Sequence, residues 1–424
     1  MTGLSSRFNL PSLRAVAVAS AFCCAGMASA QGTGTSSVTL YGLVDIGITQ
    51  VTGLKAGTVT QVASGIMEGS RWGLKGSEDM GGGYKTIFTL ESRFELDTGS
   101  LSNTPITGTQ LPDRLSTTAG LGLPSAYAPL VAGAAGALGA TLGVNLPNRQ
   151  FDRQAYIGLV TPFGGFLAGR QYTPAYETSA TYDIMQTQSG LAAGQIVSIP
   201  SAFDIRIPNA LAYRFVKDGM SGSFMYGAGE VAGDSDKSRL LGFNANYKAD
   251  NFSVGVGYNT RNNELGQKSL TNVVLGASMD FGNSKVSTMV VKVTDDKPSG
   301  LSSLATALGG SAAATAVQAA FIKALTLDGT LFHIGYRYVT GPNTISVAYN
   351  NYNDNRASDA DVSSYGVAYT YALSKRTDLS AVLVHVDNKN TSQVAVGGNG
   401  YLGGVTASAG TDSNSLAMGI RHRF

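Results

Sequence analysis

The sequence predicts an all-β fold, a 16-stranded antiparallel transmembrane β-barrel. Three observations carry that expectation. Apolar residues alternate with period 2 in stretches of about ten residues from residue 37 to the end. Only 14% of the 424 residues are Asp, Glu, Lys or Arg, against roughly 25% in a typical soluble protein, yet the mean hydropathy is only +0.05. Tight turns and long connections alternate along the chain, which puts short links at one end of a barrel and long loops at the other. A helical membrane protein would instead need several apolar runs of about 20 residues.

The chain opens with a leader. Arg7 and Arg14 give a positive start, "AVAVASAFCCAGM" is an apolar run, and Ala28, Ser29 and Ala30 form a small-residue cleavage site. An uncleaved anchor is the alternative, disfavoured by the short run and the cleavage site behind it. The expected division is a leader at 1–30 and a single barrel domain at 31–424. Cys23 and Cys24 leave with the leader, so no thiol or disulfide remains. Two arginines leave as well, so 28 basic residues face 28 acidic ones. A neutral chain offers no overall basic signal for nucleic acid.

The strands follow in order. The first, "SVTLYGLVDIGI" (37–48), puts Val38, Leu40, Val44, Ile46 and Ile48 on one face. The second spans 70–77. The third, 84–94, sets Tyr84, Thr86, Phe88, Leu90 and Phe94 against Lys85, Glu91 and Arg93. Strands at 151–160, 165–172, 209–216, 222–232, 238–248, 251–261, 269–281 and 285–294 come next. The strand at 329–340 sets Phe332, Ile334, Tyr336 and Tyr338 opposite His333 and Arg337. Those at 343–353, 361–373, 378–387 and 413–424 complete the set. The face opposite the apolar one is small or polar rather than rich in Lys and Glu, which suits a water-filled lumen. The even count puts both chain ends on the turn side.

The tight turns include "EDMGGG" (78–83), "TPFGG" (161–165), "KDGMSG" (217–222) and "TGPN" (340–343). The longest connections cover 95–150, 173–208, 295–328 and 388–412. Residues 115–148 carry no charge, and 301–325 have a partly helical composition. Polar residues and Lys323 argue against a membrane-spanning helix there. Long outer loops with short helices packed on the barrel or a neighbour are expected. Enzyme chemistry finds no support. His333, His385 and His422 lie on different strands, and neither a nucleophile motif nor a metal-ligand motif surrounds them. No cofactor and no metal are expected.

"SSVTLYGLVDIGI", "SRWGLKGSEDMGGGYKTIFTLES", "DRQAYIGLVTPFGGFLAGRQYTPAY" and the terminal "GIRHRF" resemble the general bacterial porins, in the trimeric branch common in β-proteobacteria. The motifs cover the first third of the chain and its end; the middle matches by layout. The resemblance implies a homotrimer in the outer membrane, in contact with lipid and lipopolysaccharide, that lets ions and small hydrophilic solutes diffuse through. It also implies a third loop folded into the barrel, presenting acids toward arginines on the opposite wall. Carried onto this sequence, the basic wall is Arg71, Arg153, Arg206 and Arg214, with Arg71, Gly73 and Lys75 inward and Leu211, Tyr213 and Phe215 outward. The acidic loop supplies Glu177 and Asp183. Relatives carry a Pro-Glu-Phe turn in that loop; here "MQTQSGLAAG" (185–194) stands instead.

Charges at a constriction set ion preference, and a low-dielectric wall focuses their field. The plain structural reading is that the same arginines brace the third loop by salt bridges. Two functional alternatives to a weakly selective channel are an anion- or substrate-selective channel of the same fold, and a surface adhesin or structural barrel with a closed lumen. The final "SLAMGIRHRF" reads as the closing strand, pairing with 37–48. Phe424 is expected in the aromatic girdle, as a signal for barrel assembly. Arg421 and Arg423 are expected to face the lumen.

Overall fold

The computed structural model describes residues 36–101, 106, 111–139, 149–194, 202–398 and 401–424; the expected leader at 1–30 lies outside them. The strands are β1 (Ser37–Leu54), β2 (Gly57–Ser64), β3 (Arg71–Gly81), β4 (Tyr84–Arg93), β5 (Gln154–Thr161) and β6 (Gly164–Tyr172). They continue as β7 (Arg206–Lys217), β8 (Met220–Gly227), β9 (Leu240–Lys248), β10 (Phe252–Asn262), β11 (Lys268–Phe281) and β12 (Ser284–Asp295). The last are β13 (Leu327–Thr340), β14 (Asn343–Asp354), β15 (Val362–Ala372), β16 (Thr377–Asn388) and β17 (Ser413–Arg423). All their pairings are antiparallel, in one 17-stranded sheet that closes through β1 and β17.

Seventeen segments occupy sixteen barrel positions, because β2 and β3 share one. The outer half of β1 pairs with β2, Ile46 opposite Ser64, and its turn-side half pairs with β3, Leu43 opposite Arg71. Residues 65–70 leave the ladder between them. The sequence pattern puts the first strand at 37–48 and starts the second at 70, so it misses this hairpin and interruption. The remaining boundaries agree within a few residues.

Closure leaves no sheet edge in the membrane, where unpaired backbone groups are costly. Phe424 supplies the last rung: its N–H donates to Gly42 O (3.0 Å) and its carbonyl accepts from Gly42 N (3.1 Å). The ring lies over Gly42, where an added Cβ would stand 2.6 Å from Phe424 Cζ. Leu40, Ile48, Leu211, Phe224 and Leu383 are among the exposed outward residues, with Tyr84, Phe163, Phe281 and Phe424 at the turn end. This apolar band with an aromatic rim is what a lipid bilayer requires. No helix among the described residues is long and apolar enough to cross a membrane.

Among the described residues the long connections carry the helices α1 (Asp113–Ser116), α2 (Ala128–Gly139), α3 (Pro174–Tyr182), α4 (Leu304–Ala307) and α5 (Ala312–Leu325). Ser311 caps α5, its hydroxyl accepting from Ala314 N. Val131 and Ala134 of α2 pack with Leu301, Leu304, Val317 and Phe321 in a small satellite core. The β4–β5 connection therefore reaches across the outer mouth to the β12–β13 connection. The main core lies inside the barrel. Tyr182, Ile184, Met185, Leu191, Val394, Val396 and Tyr401 fill it from two inward-folded connections, against inward residues such as Val274, Met289 and Leu331.

Candidate functional site

The third outer connection enters the lumen as α3, with Pro174 in its first turn. Its seat is a patch of inward glycines. A Cβ on Gly276 would meet the Tyr182 ring at 2.2 Å, and one on Gly257 would meet Thr178 Oγ1 at 2.6 Å. Gly242 and Gly335 lie under Pro174 and Ile184 in the same way. The small inward face read as a water-filled lumen is, along β9–β13, the floor on which this loop rests.

The opposite wall is charged. Arg153 Nε donates to Glu91 Oε1 (2.5 Å) and its Nη2 to the Tyr172 hydroxyl (2.9 Å). Arg206 Nη2 donates to the same hydroxyl (2.9 Å), and its guanidinium lies 4.5 Å from the Tyr172 ring centre. Tyr172 stacks on Tyr176 of α3 with ring centres 5.2 Å apart, which ties the wall to the loop. Arg71 approaches Glu91 at 3.9 Å, Tyr41 donates to Glu91 at 2.9 Å, and Lys75 Nζ stands 5.2 Å from the Tyr41 ring centre. Strand register explains the grouping: Arg71 opens β3, Arg153 directly precedes β5, and Tyr172 and Arg206 are paired at the outer ends of β6 and β7.

Residues 65–70 add a second inward element. The Asp45 carboxylate accepts from the N–H groups of Ile66 (3.1 Å), Met67 (2.9 Å) and Glu68 (2.8 Å), and Asp45 N donates to Ser70 Oγ (3.0 Å). A fully buried acid thus satisfies the backbone that the broken strand exposes. Glu68 is thereby presented to Arg71, Arg421 and Arg423, each at 2.8 Å, and to Gln188 of the third loop at 3.2 Å. Asp378 shares Arg421 (3.0 Å) and Arg423 (3.1 Å). Burial by itself would raise the Glu68 carboxyl; Arg71, Arg421 and Arg423 overcome it and hold the group at about 2.

The expected residues divide into three groups. Arg71, Arg153 and Arg206 come together. Arg214 sits apart, pairing with Glu177 at 2.5 Å, while Asn244 donates to the other Glu177 oxygen at 3.3 Å. Burial still raises the Glu177 carboxyl, with Arg214 opposing. Asp183 does not face the arginine wall. It is fully buried and accepts from Met185 N (2.9 Å) and Ala193 N (2.8 Å), which makes it a clasp for the turn of the loop. His333 Nε2 lies 3.9 Å from it. That nitrogen accepts from Ile184 N at 3.1 Å, which leaves Nδ1 to donate to Asn350 Oδ1 at 2.7 Å, so Nε2 offers no hydrogen bond to Asp183. Arg421 and Arg423 face inward as expected, but as members of the Glu68 cluster. Sequence reasoning missed Glu68, Glu91, Tyr172 and Asp45 as site residues. The signal for Asp45 was its position as the acid on the inward face of an otherwise uncharged strand.

Comparison with known proteins gives the geometry a family. The Gram-negative porin model matches residues 15–391. Outer membrane porin protein 32 of Delftia acidovorans is 27% identical over 433 aligned positions, covering 97% of this chain and 99% of that one. An outer membrane porin protein of Bordetella pertussis is 39% identical over 90 positions, 18% of this chain and 23% of that one. Among solved structures, an anion-selective porin from Comamonas acidovorans superposes with a TM-score of 0.67 at 23% identity, covering 92% of this chain and all of that one. A trimer form of the outer membrane protein OmpT of Vibrio cholerae gives 0.54 at 13% identity, covering 92% and 99%.

Proposed function

Because this chain belongs to the Gram-negative porin family and forms an outer-membrane channel for passive diffusion, we propose that its constriction lies between the arginine wall and the third loop and prefers anions. The observation that carries this reading is the charge count on the wall. Arg71, Lys75, Arg153 and Arg206 line it, and among the described residues the acids that pair with them are Glu91 and Glu68. Glu68 is already shared with Arg421 and Arg423. Arginine stays charged at any working pH, so solutes meet a fixed positive surface close to a low-dielectric wall, where anions are favoured. Arg214 and Glu177 cancel each other and set the position of α3.

Hydrophilic anions and small organic acids are the solute class this wall favours, with neutral solutes passing by size. The working assembly is a homotrimer in lipid and lipopolysaccharide, formed after removal of residues 1–30, with Phe424 as the terminal assembly signal. A trimer form among the structural relatives supports the oligomer. Planar-bilayer recording tests the reading. Insertion is expected in triplet conductance steps, and the reversal potential in a potassium chloride gradient is expected on the chloride side. A cation-side reversal potential overturns the anion preference, and folded trimers with no conductance overturn the open channel in favour of a plugged barrel.

A further inference from the structure

A second cationic feature lies away from the constriction, at the outer mouth. Arg114, on α1 of the β4–β5 connection, lines a small cavity with Tyr352, Arg356, Ser392 and Gln393. These residues come from three different parts of the chain: the connection that crosses the mouth, the rim at β14 and the loop after it, and the last outer connection. The cavity is about 20 Å³, room for one water-sized species.

The two arginines there differ in how they are held. Arg356 is fully engaged: Nε and Nη2 grip Asp354 at 2.6 and 2.9 Å, and Nη1 donates to Thr326 O. Asp354 in turn also accepts from Ser358 Oγ at 2.6 Å and Ala360 N at 3.0 Å, so it acts on Arg114 through space and not by a hydrogen bond. Asp113, next to Arg114 in sequence, is held by Lys55 and Gln393. Among the described residues Arg114 has no ion-pair partner, and its Nε is buried without a hydrogen bond. No missing carboxylate stands elsewhere, since 1–35, 102–110, 140–148, 195–201 and 399–400 contain neither Asp nor Glu. Burial and the neighbouring Arg356 push the Arg114 guanidinium down to about 10, with Asp354 opposing. It still carries its charge at neutral pH, and a half-buried charge with an unsatisfied buried N–H and no direct counterion is costly.

We infer that the cavity at Arg114 binds one small inorganic anion of halide size, which links the crossing connection to the barrel rim. The small cavity favours a monatomic anion over the larger phosphate, sulfate and carboxylate ligands. The Arg114 guanidinium provides directional N–H donors, and the Tyr352 hydroxyl, without a partner among the described residues, can provide another. The site differs from the proposed constriction in place and partners: it shares no residue with Arg71, Arg153, Arg206 or Glu68.

Bromide is the probe. Crystals of the full-length folded protein grown with sodium bromide, measured at the bromine absorption edge, are expected to show an anomalous peak within hydrogen-bond distance of Arg114. Crystals of Arg114→Met under the same conditions are expected to lack it. No anomalous peak in the wild-type cavity overturns the inference, as does a peak that persists in Arg114→Met. The wild-type measurement decides by itself if the variant does not fold. In solution, the heat-denaturation midpoint of the wild type is expected to be higher in chloride than in gluconate, an anion too large for the cavity, because ligand bound only to the folded state raises stability. An equal chloride benefit in wild type and in Arg114→Met overturns the link between this site and the crossing connection.

Discussion

The two walls of this barrel have been finished in opposite ways. Along β9–β13 the inward face is pared down to glycines, and the third loop lies directly on it, Tyr182 over Gly276 and Thr178 against Gly257. Along β3–β7 the inward face keeps long cationic side chains, and α3 meets it at its edge, Tyr176 on Tyr172 and Glu177 on Arg214. One wall gives up side chains so that a loop can approach; the other extends side chains toward that loop. The open path is whatever lies between them. A small inward residue therefore has two meanings in a barrel, solvent or seat, and only the identity of what covers it separates them.

The break between β2 and β3 makes the charged wall dependent on one residue, and Asp45→Ala should be the most damaging change. Three buried N–H groups lose their acceptor, at about 1–3 kcal/mol each. The expected outcome is loss of the heat-resistant folded band on gels, or a sharply lower midpoint. A variant as stable as wild type would mean that residues 65–70 do not depend on Asp45.

Next in size is Glu68→Gln. It leaves Arg71, Arg421 and Arg423 with Asp378 and Glu91 alone, and breaking a buried pair costs about 3–5 kcal/mol. The same change leaves more uncompensated positive charge, so the reversal potential should move further toward chloride. The pH dependence has a definite sign. A carboxyl lowered to about 2 in the folded state stabilises fully above its ordinary value near 4.3 and loses that contribution as pH falls through about 2. Wild-type midpoints should thus decline from about pH 5 downward, and Glu68→Gln should flatten that decline.

Gly276→Leu tests the other wall. The new side chain competes with the Tyr182 ring for the same space, an overpacking cost of about 1–3 kcal/mol. Displacing α3 should raise single-channel conductance while the preference for chloride weakens, since the field across the gap falls as the loop retreats. Unchanged conductance would detach the loop's seat from the width of the channel.

Much of this was legible because period-2 alternation is local. Strand positions, the closing pair of β1 with β17, and the inward parity of Arg71, Arg214 and Arg421 all follow from counting by twos. The hairpin at β1–β2 was not legible, because Thr49 to Ser64 is short, polar and glycine-punctuated, and its pairing is fixed by Asp45 across the sheet rather than by its own pattern. The hub at Tyr172 was hidden for another reason. It joins Arg153 and Arg206, which are distant in sequence, through a hydroxyl that carries no charge signal. The crossing of the mouth by the β4–β5 connection depends on contacts between two loops, which no single-strand periodicity records.

Asp183 provides the finest test of how the two walls divide their work. From the sequence it is an acid in the third loop, equivalent to Glu177. In the fold it hydrogen-bonds two backbone N–H groups and no arginine, whereas Glu177 holds Arg214. Asp183→Asn keeps one acceptor oxygen and removes the charge, so it should weaken the loop by about 1.5–3 kcal/mol, the scale of a charged hydrogen bond, and leave the reversal potential where it was. Glu177→Gln should release Arg214 and move the reversal potential toward chloride. If Asp183→Asn shifts selectivity as much as Glu177→Gln does, the buried carboxylate acts on the lumen through the low-dielectric interior, and the division into a seating wall and a selecting wall does not hold.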